Sequence, residues 1–222
     1  LCITKLSGGN KDNAIPRSCQ VTMVALGMYI ERINEVAEQL QKEIREQFDE
    51  PEVKIYGDDV DALGGNALTT EDTAKVIALL CAAPNGVQSW SQDIEGLVQT
   101  SLNLGVVKLD SALSMTFAVR SSVNQEKRDL LAKLEELAKF YDGSYSQMGD
   151  YPAWEYKKDS KLRDLMVKIY TEKFGKEPEV VAIHAGLECG LFTEKFPGLD
   201  MISFGPTLRG VHAPGERLDL AS

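Results

Sequence analysis

The sequence predicts an α/β protein, and three observations predict it. Short apolar runs that read as strands alternate with amphipathic helical periods along the chain. Two runs in the middle, 99–109 and 113–120, are joined at Asp110-Ser111 as neighbouring strands. After residue 152 the strand–helix alternation continues with short apolar strands, the pattern of an α/β layer.

Leu1 to Leu6 reads as the first strand. It runs into a polar loop, Ser7-Gly8-Gly9-Asn10-Lys11-Asp12-Asn13, where Gly and Asn supply the positive φ that tight loops need. A second β-rich stretch covers Arg17 to Leu26, with Pro16 just before it. From Met28 to Phe48 the period changes. Ile30, Ile33, Ala37, Leu40, Ile44 and Phe48 recur every three or four residues, which marks an amphipathic helix that Pro51 brings to an end. Val53 to Tyr56 reads as a short strand and Gly64-Gly65-Asn66 as a turn. Thr69, with Asp72 three residues on, is a relative of the capping box. The helix it opens carries Val76, Ile77 and Leu80 and stops at Pro84-Asn85-Gly86.

In the second middle strand Leu113, Met115, Phe117 and Val119 alternate with Ser114, Thr116, Ala118 and Arg120. One face is therefore apolar, and Arg120 ends the other. Leu130, Leu134, Leu137 and Tyr141 define a surface helix. Gly143 to Trp154, rich in Gly, Ser, Tyr and Asp, breaks the pattern and sets a domain boundary near residue 152. Beyond it Leu162, Leu165, Ile169 and Tyr170 mark a helix, Val180 to Ile183 a buried strand, and Met201 to Phe204 another.

Composition narrows the function. Lys plus Arg is 24 against 34 for Asp plus Glu, a formal net charge of −10, and no basic stripe offsets it. Nucleic-acid backbone binding is not expected of such a chain. Charged residues interrupt every apolar segment, so no membrane span is expected, and Lys5, Lys11 and Asp12 break any signal-peptide core. Cys2, Cys19, Cys81 and Cys189 are widely spaced and read as buried thiols in a reducing, cytoplasmic compartment. The chain opens on Leu1 and enters a strand almost at once, which reads as a piece of something longer.

Candidate chemistry gathers in a few places. The two histidines, His184 and His212, lie beside glycines after the expected strands Val180 to Ile183 and Met201 to Phe204. Sites collect at the carboxyl ends of strands in open α/β sheets. A metal site needs three or four convergent ligands, and no H-x-x-E-H, H-E-x-x-H or H-x-D arrangement supplies partners here. Arg120 is either a surface arginine or a guanidinium fork for a carboxylate. Asn13 is either a turn residue or an amide donor to a substrate or transition-state oxygen. Glu188 reads as a helix-start carboxylate beside an unactivated Cys189, and Asp58, Asp59 and Asp61 as a solvated loop.

Three stretches go further when taken together: Gly8-Gly9-Asn10-Lys11-Asp12-Asn13-Ala14-Ile15-Pro16-Arg17; Asn103-Leu104-Gly105-Val106 with Val119-Arg120-Ser121-Ser122; and Ala182-Ile183-His184-Ala185-Gly186-Leu187-Glu188-Cys189-Gly190-Leu191-Phe192. The last continues through Ser203-Phe204-Gly205-Pro206-Thr207-Leu208-Arg209 to His212-Ala213-Pro214-Gly215-Glu216-Arg217. In order and spacing they resemble the C-terminal half of the aminoacyl-histidine (Xaa-His) dipeptidases, also called cytosol non-specific dipeptidases.

The resemblance implies a zinc metallopeptidase with an α/β catalytic domain holding two zinc ions and an inserted α+β lid. Residues 1–152 would be most of the lid, of dimerisation type, and 153–222 the final segment of the catalytic domain. It implies that His212 is a zinc ligand, that Arg120 binds the C-terminal carboxylate of a dipeptide, that Asn13 contacts substrate or developing oxyanion, and that the Gly186 backbone lies against substrate. The other ligands and the general-base glutamate would come from an N-terminal half, so this chain alone is expected to be inactive. A homodimer is compatible with this reading. Its rivals are a non-catalytic lid or binding module, and another hydrolase of the same clan.

Overall fold

The computed structural model describes residues 1–59, 66–182, 188–211 and 215–220. Helices and strands are mixed throughout, the fold class that the sequence predicts. The chain divides into two compact units. One comprises Leu1–Gly86, Leu102–Ala118 and Leu134–Ser144, the other Val87–Ser101, Val119–Lys133 and Tyr145–Ser222. The last crossing between them, after Ser144, falls inside the Gly/Ser/Tyr-rich stretch.

Strands β1 (Cys2–Gly8), β2 (Cys19–Val24), β3 (Gly86–Trp90), β4 (Val98–Leu109) and β5 (Leu113–Ser121) form one sheet in the order β2-β1-β4-β3, with β5 also paired to β4. In the first unit β1 is antiparallel to β2, Gly8 opposite Cys19, and to β4, Gly8 opposite Val107. Leu6 and Gly8 alternate onto its buried face, and a register shift between Ile3 and Lys5 brings Ile3, three residues before Leu6, onto the same core. Ile3 and Leu6 meet Val76, Val107 and Leu109 in a core lined further by Leu68, Leu80, Leu113 and Met115. Full burial of each such side chain contributes about 1.5–3 kcal/mol.

Helix α2 (Thr70–Ala82) supplies Val76 and also Thr73, whose hydroxyl accepts the Ile3 N–H at 3.1 Å. Thr69 caps it as the sequence predicts: its hydroxyl accepts the Asp72 N–H at 3.0 Å and donates to the Asp72 carboxylate at 2.9 Å. Helix α1 (Ile30–Phe48) follows a short 3-10 turn at Gly27–Tyr29 and ends on Asp49 in the left-handed region, two residues before Pro51. None of its residues is fully buried.

The expected strand from Val53 to Tyr56 does not form. Arg45 of α1 donates to the Val53 carbonyl at 2.8 Å, and the Ile55 N–H goes to the Gln41 side chain at 2.9 Å. The Val53 carbonyl and the Ile55 N–H are thus taken by side chains of α1, and the Val53 N–H by the Glu50 carbonyl at 3.2 Å, in place of a ladder. In contrast β3 forms where the sequence predicts no strand, on a short and largely exposed run.

In the second unit, the first turns of α3 (Asn124–Phe140) hold the segment that precedes α4 (Lys161–Phe174). The Asn124 side chain brackets Ala153, accepting its N–H at 2.9 Å and donating to its carbonyl at 3.5 Å, and Lys127 pairs with Asp150 at 2.6 Å. Helix α5 (Glu188–Lys195) packs Gly190 so closely that a Cβ there would lie 2.3 Å from the Pro152 carbonyl oxygen. Strands β6 (Leu208–Arg209) and β7 (Arg217–Leu218) form a two-stranded ribbon.

Two expected strands of this unit are corrected. Residues 180–182 and 201–204 are not in strand conformation, and Val180, Val181 and Phe204 are 53, 68 and 79% exposed. An apolar run of four suits a buried strand, but a strand exists only where a neighbour takes its N–H and C=O groups. Among the described residues none does. The cysteines are also more open than expected: Cys19 and Cys81 are exposed, Cys2 and Cys189 half-buried, and all four are free thiols. Cys19 starts the outer strand of the sheet and Cys81 lies in the last turn of α2, where little covers them. No helix among the described residues is long and apolar enough to cross a membrane.

Candidate functional site

Asn13 lies in the first unit, on the loop between β1 and β2. The Gly9 N–H closes the base of this loop on the Ser18 carbonyl at 3.2 Å, and the Asn13 N–H donates to the Asp12 carboxylate at 2.9 Å. The loop is exposed, and among the described residues the Asn13 side-chain amide has no hydrogen-bond partner. A free amide on a braced loop is able to donate to an oxygen of a bound molecule.

Arg120 lies in the second unit, one residue from the end of β5, and it is exposed, as the alternation predicts. Among the described residues its guanidinium meets no carboxylate and no acceptor. The backbone beyond it is fixed. The Ser122 N–H donates to the Gln99 carbonyl at 3.0 Å, and the Ser121 hydroxyl accepts the Val123 N–H at 3.0 Å and bonds Thr100 Oγ1 at 2.7 Å.

Behind Ser121 stands Glu126 of α3. It accepts from Ser89 Oγ at 2.5 Å, from Gln99 Nε2 and from Thr100 Oγ1, and Thr100 is 2% exposed. Burial pushes the Glu126 carboxyl up. The bonds from Ser89, Thr100 and Gln99 outweigh this and hold it below the usual carboxylate range. An ionised carboxylate thus ties β3, β4 and α3 together beside the strand end that carries Arg120.

Nothing local in the sequence marks Glu126 and Thr100, which look like an ordinary helix-start carboxylate and strand threonine. Asn103 is marked only faintly. An Asn and a Gly two residues apart in mid-strand, Asn103 and Gly105, are unusual for β-structure, and that was the available signal. Asn103 Nδ2 donates to the carbonyls of Asp12 and Ala14, at 3.0 and 2.8 Å.

His184, Gly186 and His212 lie outside the described residues. Glu188 opens α5 as a first-turn carboxylate, as expected. Among the described residues no three His, Cys, Asp or Glu side chains come together to hold a metal ion, so they do not form a metal centre on their own. An open cleft of ≈ 230 Å³ is lined by Trp154, Tyr156, Lys157, Thr193 and Met201, and it holds none of the residues singled out from sequence.

Comparison with known proteins finds relatives along the whole chain. Over 225 aligned residues, 100% of this chain, it is 33% identical to the cytosol non-specific dipeptidase of Escherichia coli (strain K12), of which it covers 46%. Its fold matches the crystal structure of aminoacylhistidine dipeptidase from Vibrio alginolyticus with a TM-score of 0.89 at 30% identity, covering 98% of this chain and 45% of that one. No protein-family model matches. The chain therefore spans about half the length of the relatives it matches, and it resembles their C-terminal half from end to end.

Proposed function

We propose, from this end-to-end resemblance, that the chain is the lid and the closing catalytic segment of a zinc-dependent dipeptidase, of Xaa-His or broad specificity. One observation carries the reading: nearly the whole fold matches a dipeptidase of twice the length, at a TM-score of 0.89. The division would be 1–152 for the lid and 153–222 for the catalytic segment. The zinc ions, when bound, would activate water for attack on the peptide carbonyl. Most of their ligands and the general base would come from residues outside this chain, with His212 as this chain's contribution. The compartment proposed is the cytoplasm.

The roles that the resemblance implies for the chain's own residues suit their chemistry. The guanidinium of Arg120 offers two parallel N–H donors, the geometry that matches a free α-carboxylate. A carboxylate held one residue beyond the scissile bond selects dipeptides over longer chains. Asn13 would donate its side-chain amide to the oxygen on which negative charge develops, a contact that strengthens in the transition state. Gly186 would let the backbone lie close to the substrate, since no Cβ intervenes.

The test takes two preparations. The 222-residue chain with added zinc is expected to hydrolyse no dipeptide. A product extended upstream to the length of the relatives is expected to hydrolyse dipeptides and to lose activity on chelation. Turnover by the short chain removes the division of labour proposed here. An inert extended product leaves the binding-module reading in its place.

A further inference from the structure

We infer that Asn103 is a positioning residue for Asn13, an inference that rests on the role proposed for Asn13 above. The two hydrogens on Asn103 Nδ2 go to the carbonyls of Asp12 and Ala14, at 3.0 and 2.8 Å, the residues immediately before and after Asn13. The clamp thus holds the backbone on both sides of Asn13 and leaves its side chain without a partner among the described residues.

The floor under the loop is built for the same approach. A Cβ on Gly105 would stand 2.2 Å from the Asp12 carbonyl oxygen, and one on Gly9 would stand 1.9 Å from the Gly105 carbonyl oxygen. Gly9 also has a φ of +69°, which only glycine adopts at little cost. Between Asn103 and Gly105 on β4, the Leu104 N–H is taken by the Asn85 side chain at 2.8 Å. In this stretch β4 offers bare backbone and a side-chain amide to a loop.

A donor aimed at developing charge is effective when it is held before the substrate arrives, because no reorganisation is then spent during reaction. An amide –NH₂ carries two hydrogens and donates to two carbonyls at once, whereas the isosteric carboxylate of Asp has no donor when ionised. The sharpest variant is therefore Asn103→Asp, with Asn103→Ala beside it. Gly105→Ala displaces the loop by a different route.

The structural arm uses the full chain and trypsin, since Lys11 and Arg17 lie in the loop. Each variant is expected to speed cleavage at these two residues by about tenfold, the scale of losing a hydrogen bond that holds a loop closed. The far-UV circular dichroism and the cleavage elsewhere are expected to stay unchanged. The kinetic arm uses the complete dipeptidase. Asn103→Ala is expected to lower kcat with little change in KM and to do nothing further when Asn13 is already alanine. Unchanged loop cleavage in all three variants overturns the inference. So does a loosened loop with unchanged kcat where Asn13→Ala lowers kcat. If Asn13→Ala is itself silent in an active enzyme, the role of Asn13 falls and takes this inference with it.

Discussion

The Ser160 hydroxyl donates to Asp200 Oδ1 at 2.7 Å, across forty positions of sequence. The same hydroxyl caps α4 by accepting the Arg163 N–H at 3.0 Å, and the other oxygen of Asp200 takes the Leu162 N–H at 3.0 Å. One carboxylate thus finishes the N-terminus of α4 and anchors the chain just before the segment 201–204.

That anchor is pH-dependent. The Leu162 N–H, then the Ser160 hydroxyl, hold the Asp200 carboxyl below its ordinary value of 3.8. A depressed carboxyl contributes stability above its unfolded value, and this is lost as pH falls through the folded one. Denaturant midpoints followed from about pH 6 to about pH 2 should drop for the parent chain. They should drop less for Asp200→Asn, which starts lower. Parallel curves for the two would remove Asp200 from the linkage.

Glu126→Ala should destabilise the chain by about 1–3 kcal/mol, because Ser89, Gln99 and Thr100 lose their shared acceptor. Glu126→Gln keeps the shape and loses the charge, so its cost should be smaller. Urea unfolding measures both. A cost below about 0.5 kcal/mol for the alanine variant would mean that solvent replaces the carboxylate freely.

In the complete dipeptidase proposed above, Arg120→Ala should lower kcat/KM by a factor worth about 2–3 kcal/mol, the scale of a charge-assisted contact, and Arg120→Lys should recover part of it. A dipeptide amide, which lacks the free carboxylate, should be a poor substrate of the parent and equally poor for the variant. Equal losses on acid and amide would place the effect elsewhere than the carboxylate.

Leu6→Ala should cost about 2–5 kcal/mol, the range for truncating a leucine in a packed core, since Leu6 is 6% exposed among Ile3, Val76, Val107 and Leu109. Thermal or urea unfolding checks it. A smaller loss would mean that Leu68, Leu80 or Met115 moves in to fill the space.

Local pattern was enough for much of this molecule. The period of 3.6 over α1, the Thr69–Asp72 cap and the alternation of β5 that leaves Arg120 exposed are all written in neighbours along the chain. The motif order from the Asn13 loop to Glu216 likewise carried the resemblance to the dipeptidases. What depended on distant residues was not legible. Val53 to Tyr56 is apolar enough for a strand, yet Arg45 and Gln41 bond its Val53 carbonyl and Ile55 N–H; residues 180–182 are apolar and 201–204 largely so, and among the described residues no strand pairs with them. Asn103 meets Asp12 and Ala14 across some ninety positions, and Glu126 reaches back to Ser89, Gln99 and Thr100. Hydrogen-bond partners that far apart are chosen by how the backbone folds, and no local period encodes them.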